Sequence, residues 1–265
     1  MVQRITDKIQ VHVPFTMLYE SYREVFFEHR LNPEITLDAG ALERFSFTDF
    51  QDMAKQLHSR SLTVTFHAPF MDLSPGSIDP AISALTRHRF EQMLELVPVF
   101  KPKTVVCHTG YDGKRYRAWR DQWIENSLEM WAWLAEQIQN EGGRLMLENV
   151  FEHGPDEMQI LFENLVDRDV GFCLDTGHQA AFSSTSLKTW IESLDPFLGQ
   201  LHLHDNFGDR DDHLGLGKGN IDFQNLFNHL EARKEAPPII TLEMHREEDL
   251  WPSIAYLEKI WPWPA

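Results

Sequence analysis

The sequence predicts an α/β fold, a single (β/α)8 TIM barrel that spans residues 1–265 as one domain. Short apolar runs alternate eight times with helix-length mixtures of polar and apolar residues, which is the pattern of repeated βα units. The length of 265 residues is ordinary for such a barrel. No GxGxxG turn follows the first strand candidate, which disfavours an open dinucleotide-binding sheet.

The eight strand candidates are short runs, and several are apolar throughout, as the buried strands of a parallel sheet are. They are Ile9–Val13, Ile35–Ala39, Leu62–His67, Thr104–His108, Arg144–Asn149, Val170–Asp175, Gln200–His204 and Ile239–Glu243. Between and after them, apolar residues at helical spacing predict seven helices. These are Asp49–His58, Ile82–Val97, Ala118–Asn140, Asp156–Val166, Leu187–Leu194, Phe223–Glu231 and Ser253–Ile260.

The composition is that of an acidic globular protein. Hydrophobic residues make up 42% of the chain and charged residues 25%, as in ordinary folded domains. The formal net charge of −17 weighs against a nucleic-acid partner, although it leaves one open. The N-terminal residues carry neither a secretory signal nor a membrane anchor, so we expect a cytoplasmic protein without a membrane partner. No sequence feature indicates an oligomeric state.

Metal-competent side chains follow the predicted strands at their carboxyl ends. In a barrel these ends meet at one mouth, where the active sites of this fold are built. The residues at strand ends are His67, His108, Glu148, Asp175, His202 and Glu243, and those in the adjoining loops are His178, Asp211 and His213. Any one of them has a structural explanation, such as a helix cap. Together they predict bound cations, because so many charged groups in one mouth need neutralisation.

The ligand types narrow the choice of metal. Carboxylate oxygens together with imidazole nitrogens suit Zn, Mn, Fe or Co, whereas an all-oxygen set would suit Mg or Ca. We therefore expect a divalent cation of the first group.

Seven motifs, taken in order along the chain, resemble the xylose isomerase-like TIM-barrel superfamily. They are HAPF at 67–70, VVCHTG at 105–110, LENV at 147–150, CLDTGH at 173–178, LHLHDN at 201–206, DDHLGLGKGNIDF at 211–223 and TLEMH at 241–245. The resemblance covers roughly residues 60–245. It is nearest to the sugar phosphate isomerases/epimerases, a group that shares its barrel with endonuclease IV and with the tagatose and psicose epimerases.

The resemblance implies two ligand sets. From the epimerases it implies one metal held by Glu148, Asp175, His202 and Glu243. From endonuclease IV it implies a trinuclear zinc set at all nine positions named above, so one to three ions per chain are expected. The HTG at 108–110 differs from the HPG associated with endonuclease IV.

We expect a metal-dependent isomerase or epimerase of a sugar or sugar phosphate. Glu148 and Glu243 lie on different strands and are the candidate acid/base pair, a role that the resemblance also assigns to them. The resemblance places His178 against a substrate oxygen. His204 shares a strand face with His202 and is a second candidate contact, and Lys218 in the glycine-rich GLGKGN could reach a phosphate.

Two alternatives stay open. A zinc phosphodiesterase acting on abasic-site DNA is compatible with the nine-residue set, but three Zn²⁺ would change the net charge only from −17 to −11, and basic residues are few apart from YDGKRYRAWR at 111–120. A non-catalytic metal-binding or ligand-binding barrel is the second alternative, and the presence of both Glu148 and Glu243 argues against it.

Overall fold

Eight parallel strands close into a barrel in the computed structural model, which describes residues 4–233 and 235–263. The strands follow one another in chain order, and β1 closes the barrel by pairing with β8. They are β1 Gln10–Pro14, β2 Asn32–Thr36, β3 Thr65–His67, β4 Thr104–His108, β5 Arg144–Glu148, β6 Gly171–Asp175, β7 Leu198–Leu203 and β8 Ile239–Leu242. The predicted (β/α)8 barrel is confirmed.

Helices flank the barrel in the order expected of βα units. They are α1 Phe15–Met17, α2 Arg23–His29, α3 Ala39–Arg44, α4 Phe47–Ser59, α5 Pro80–Leu94, α6 Val97–Phe100, α7 Gly113–Tyr116, α8 Arg120–Asn140, α9 Asp156–Asn164, α10 Thr176–Phe182, α11 Leu187–Leu194, α12 Phe223–Glu231 and α13 Leu250–Ile260. All seven predicted helices are present, and their ends differ from the prediction by at most three residues. Within the described ranges, no helix is long and apolar enough to cross a membrane.

The second strand was placed too late by the sequence prediction. It begins at Asn32, and the predicted end of the strand at Ala39 is instead the first residue of α3. Asp38 ends the extended segment because its carboxylate accepts a hydrogen bond from the Ala41 amide at 2.7 Å and so caps the helix. The shift brings Glu34 into the strand.

A buried polar layer crosses the barrel interior beneath its mouth. Thr104 on β4 donates a 2.6 Å hydrogen bond to Gln200 on β7, and Gln200 donates in turn to Glu34 on β2 at 2.5 Å. Thr65 and Thr241 also donate to the Glu34 carboxylate. Since side chains two apart on a strand point to the same face, the side chains two residues further along these strands lie above this layer. Two residues beyond Thr65, Gln200 and Thr241, the chain thereby presents His67, His202 and Glu243 to the mouth, and His108 lies on the same face four residues beyond Thr104.

Candidate metal centre

Three clusters of candidate ligands lie at the mouth of the barrel, each with its donor atoms within 4.8 Å of one another. The first cluster is His67, His108 and Glu148; the central cluster is Glu148, Asp175, His202 and Glu243; the third cluster is His178, His204, Asp211 and His213. All nine residues predicted as ligands belong to these clusters. The structure adds a tenth, His204.

Strand register brings the ligands together. His108 on β4 pairs with Glu148 on β5, and Asp175 on β6 pairs with His202 on β7. Partners in a parallel ladder are neighbours across the strands, so each pair projects side by side. His178 does not lie in a loop as expected, because Asp175 caps α10 by accepting a 2.6 Å hydrogen bond from the His178 amide. The helix turn then carries the His178 ring back over the mouth.

Glu148 connects the first and central clusters. Its Oε2 lies 3.3 Å from His67 Nε2 and 3.5 Å from His108 Nε2, while its Oε1 lies 3.4 Å from His202 Nδ1. The side chain is fully buried, and neither oxygen has a hydrogen-bond partner of proper geometry among the described residues. A buried carboxylate with two such oxygens is costly unless cations or protons lie against it.

His202 occupies the middle of the central cluster. Its Nδ1 lies 2.7 Å from Glu243 Oε2 and 3.9 Å from Asp175 Oδ2. Glu243, the residue directly after β8, and Glu148, at the end of β5, therefore both approach the same nitrogen.

Backbone carbonyls orient the rings of three histidines. The Nδ1 atoms of His67, His178 and His213 lie 3.0, 3.0 and 2.8 Å from the carbonyl oxygens of Ala68, Asn149 and Glu243. A carbonyl only accepts, so Nδ1 carries the proton in the neutral ring and Nε2 carries the lone pair. In each ring, Nε2 faces a carboxylate oxygen at 3.2–3.3 Å. The lone pair of Nε2 and the carboxylate oxygen are both acceptors, so a cation or a further proton is needed between them.

The separations of the donor atoms fit a divalent cation. A tetrahedral site with bonds of 2.0–2.1 Å holds its ligand atoms about 3.3 Å apart, whereas a charge-assisted N–H···O hydrogen bond is about 2.7–2.9 Å long. The nitrogen–oxygen distances of the first cluster are 3.3 and 3.5 Å. Together with the orphaned oxygens of Glu148, these distances show that the residues of the first cluster fit a metal ion.

The third cluster forms around Asp211. Its Oδ2 lies 3.3 Å from His178 Nε2 and 3.2 Å from His213 Nε2, and its Oδ1 lies 3.7 Å from His204 Nε2. The rings of His204 and His213 stack with centroids 3.7 Å apart, and His245 stacks on the other face of His213 at 3.8 Å. His213 has a positive φ of 45°, a backbone strain that occurs at functional sites.

Electrostatics keep the central groups charged. Burial raises the pKa of Glu148, but the neighbouring His202 and His178 outweigh it and hold this pKa well below its usual range. Burial lowers the pKa of His202, yet the charges of the neighbouring carboxylates, Glu34 and Glu148 among them, raise it well above 6.5 overall. His108 differs, because burial lowers its pKa to about 3. Its ring is neutral at pH 7 and can donate a lone pair.

The glycine-rich segment after β7 is a structural loop. The Asp205 carboxylate accepts hydrogen bonds from the backbone amides of Gly217, Gly219 and Ile221 at 2.8–3.1 Å, so these amides do not form a phosphate cradle. Lys218 pairs with the buried Asp249 and belongs to none of the three clusters. A substrate contact by Lys218 stays a prediction.

Sequence reasoning missed Glu34 as part of the site. Its Oε1 lies 2.7 Å from His202 Nε2, on the side of the ring opposite the central cluster. The available signal was the alternation of polar residues within β2 and β7, where Glu34, Gln200 and His202 occupy inward positions. The misplaced start of β2 hid it.

Comparisons with known proteins agree with this fold. The family model described as xylose isomerase-like TIM barrel matches residues 25–260. A D-tagatose 3-epimerase-like protein has a TM-score of 0.79 at 22% identity, with 96% of each chain covered. A Thermus thermophilus protein, from a crystal soaked with zinc chloride, has a TM-score of 0.81 at 24% identity, with 96% of this chain and 98% of that chain covered.

Curated relatives carry two kinds of name. An uncharacterized protein of Methanocaldococcus jannaschii, MJ1614, is 29% identical over 76% of this chain and 79% of its own length. A second one, MJ1311, is 25% identical over 63% of this chain, and the match spans 60% of its length. A probable endonuclease 4 of Mycobacterium ulcerans is 26% identical over 74% of this chain and 80% of its own. On the family match, the chain belongs to the xylose isomerase-like TIM barrel family.

Proposed function

We propose that this protein is a divalent-metal-dependent isomerase or epimerase of a sugar or sugar phosphate. The observation that carries the proposal is that Glu148 and Glu243 both approach His202 Nδ1, at 3.4 and 2.7 Å, in a buried cluster of four candidate metal ligands. Two carboxylates on different strands can approach one carbon from different sides. The epimerase-like neighbour in structure supports the same class of substrate.

The glutamates perform the proton transfers in this proposal. One takes the proton from the carbon next to the substrate carbonyl, and the other returns a proton, to the opposite face for an epimerase or to the neighbouring carbon for an isomerase. When bound, the divalent cation, one of Zn, Mn, Co or Fe, would polarise the carbonyl and stabilise the developing negative charge on its oxygen. Both carboxylates are ionised at neutral pH, since each has a pKa held well below its usual range.

The remaining residues bind and orient. Asp175 and His202 complete the central ligand set, while His67 and His108 hold the other oxygen of Glu148 in place. His178 contacts a substrate oxygen through Nε2, the atom that now faces Asp211.

The proposal is tested by incubating the metal-loaded protein with a panel of ketoses and ketose phosphates in D₂O. Deuterium incorporation next to the carbonyl is expected for the wild type. The loss of exchange in Glu243→Gln, with the metal content retained, would support the acid/base assignment. A wild type that binds metal but exchanges no deuterium with any sugar of the panel would contradict the proposal.

A phosphodiesterase is the second candidate, and the third cluster favours it. Three adjacent clusters, two of which share Glu148, match the trinuclear arrangement implied by the resemblance to endonuclease IV. Probable endonuclease 4 sequences are among the curated relatives. Incision of a duplex with a single abasic site, in the same metal-loaded preparation, distinguishes the two activities.

A further inference from the structure

Two exposed arginines border the third cluster without a carboxylate partner. Arg210 directly precedes Asp211 in the chain. Arg246 directly follows His245, whose ring stacks on that of His213 at 3.8 Å. Among the described residues, no carboxylate oxygen lies within ion-pair distance of either guanidinium, although acidic residues adjoin both in the chain. In a protein of net charge −17, two unpaired cations beside candidate metal ligands leave their charge available to an anion.

The loop that carries Arg210 is held in place at both ends. Asp205 and Leu214 exchange two backbone hydrogen bonds of 2.9 Å. The buried side chain of Asn206 donates a 2.8 Å hydrogen bond to the carbonyl of Gly177, in the first turn of α10. The fold therefore sets the place of this arginine at the edge of the mouth.

The mouth opens to solvent where this loop contributes to the third cluster. The Asp211 side chain is 25% exposed, more than that of any other member of the three clusters. Consecutive Cα atoms are about 3.8 Å apart and a guanidinium reaches about 7 Å from its own Cα, while the terminal phosphate of a five- or six-carbon ketose lies about 6–8 Å from its carbonyl oxygen. Arg210 is therefore close enough to contact a phosphate at the far end of a sugar whose carbonyl is held at the clusters.

We propose that Arg210 and Arg246 form a binding site for a phosphate group of the substrate, which makes the substrate a ketose phosphate. An arginine can present two parallel N–H donors to phosphate oxygens, and such charge-assisted hydrogen bonds are strong. The glycine-rich segment after β7 does not provide this site through its backbone amides, because they donate to Asp205. The assignment rests on the proposed function and narrows its substrates to the phosphorylated ones.

The first measurement is the binding of glucitol 6-phosphate and of glucitol to the metal-loaded protein by titration calorimetry. A sugar alcohol has no carbonyl, so its binding is measured without turnover. The wild type is expected to bind the phosphate ester at least about 10-fold more tightly than glucitol, and Arg210→Gln and Arg246→Gln each to weaken binding of the ester by about 10–100-fold.

Arg117→Gln is the matched control for these two variants. Arg117 is also exposed and has no ion-pair partner among the described residues, but it lies after β4, on the opposite side of the barrel from β8. Its replacement should leave the affinity for the ester unchanged, because salt screens exposed charges that are distant from the bound anion. A loss as large as that in Arg210→Gln would overturn the proposal, since the whole rim would then attract anions, as it would for a nucleic acid. Wild-type affinity for the ester in both Arg210→Gln and Arg246→Gln would also overturn it.

The second measurement separates this site from the proposed function. Deuterium exchange is compared on a ketose phosphate and on the same ketose without its phosphate, and kcat/KM is expected to be at least about 10-fold higher for the phosphate, a preference that shrinks in Arg210→Gln mainly through a higher KM. Equal exchange on the two sugars would overturn the phosphate site and leave the proposed function standing. Binding of glucitol 6-phosphate that depends on both arginines, without exchange on any sugar, would overturn the proposed function and leave the phosphate site standing.

Discussion

Replacing Glu148 by Gln is expected to damage two of the three clusters at once. Glu148 is the one residue common to the first and central clusters. Its loss would leave only His67 and His108 in the first cluster, and three of the four donors in the central one. Loss of a directly ligating carboxylate should exceed the 10–100-fold effect of losing an outer partner, so we expect at least about 100-fold weaker binding, or about 2.7 kcal/mol.

Thermal stability reports this loss directly. A ligand at 1,000 times its dissociation constant stabilises the folded protein by about 4 kcal/mol, and 1 kcal/mol shifts Tm by about 2–4 °C at this chain length. The metal-induced rise in Tm should therefore be about 5–11 °C smaller in Glu148→Gln than in the wild type. The assay is differential scanning fluorimetry with and without chelator, together with metal content by elemental analysis.

Asp211→Asn is the matched control, since Asp211 belongs only to the third cluster. It should lower the metal content by at most one ion per chain and leave the tightest site unchanged. A Glu148→Gln protein with the wild-type metal content and the wild-type rise in Tm would refute the bridging role of Glu148.

Three further predictions concern residues that surround the three clusters. Burial raises the pKa of Glu152 from 4.5 to about 7, so the folded protein binds a proton that the unfolded chain has released. The free energy of unfolding should then fall by about 3 kcal/mol as the pH rises from 4.5 to 7. Urea titrations of the wild type and of Glu152→Gln at pH 5 and 8 test this expectation. A wild type with equal stability at both pH values would contradict it. Gly177→Ala places a Cβ against the His204 ring, well inside van der Waals contact. It should lower the free energy of unfolding by about 1–3 kcal/mol and weaken metal binding in the third cluster. Gly113→Ala is the control, because its Cβ meets no atom closer than 3.8 Å, and it should show neither effect in the same assays. Asp205→Asn weakens the charged acceptor of several backbone amides and should lower the free energy of unfolding by about 2–3 kcal/mol; a loss below about 0.5 kcal/mol would show that the loop does not depend on it.

The fold could be predicted because the βα alternation is a local property of the sequence. Most strand candidates were followed by a helix candidate, and eight such units favour closure into a barrel. The prediction failed where a cap decided the boundary, as at Asp38, whose hydrogen bond to Ala41 starts a helix inside the predicted β2. The assignment of residues 1–265 to one domain stays a prediction.

The ligand sets could be predicted because their members stand at strand ends, and strand ends converge in a barrel. Which atom each residue presents could not be predicted, since the ring orientations depend on carbonyls such as that of Asn149. Two further features could not be predicted. His204 belongs to the third cluster because its ring approaches Asp211, and Lys218 pairs with Asp249, a residue 31 positions later in the chain. Such long-range contacts leave no periodic signal in the sequence.

The proposed function is tested most directly by assaying one metal-loaded wild-type preparation, with its ions counted, for deuterium exchange on ketoses and for incision of abasic-site DNA. We expect at least one tightly bound divalent ion per chain, exchange next to the carbonyl of at least one ketose or ketose phosphate, and no incision. Incision of the DNA without exchange on any sugar would contradict the proposed function and establish the phosphodiesterase in its place.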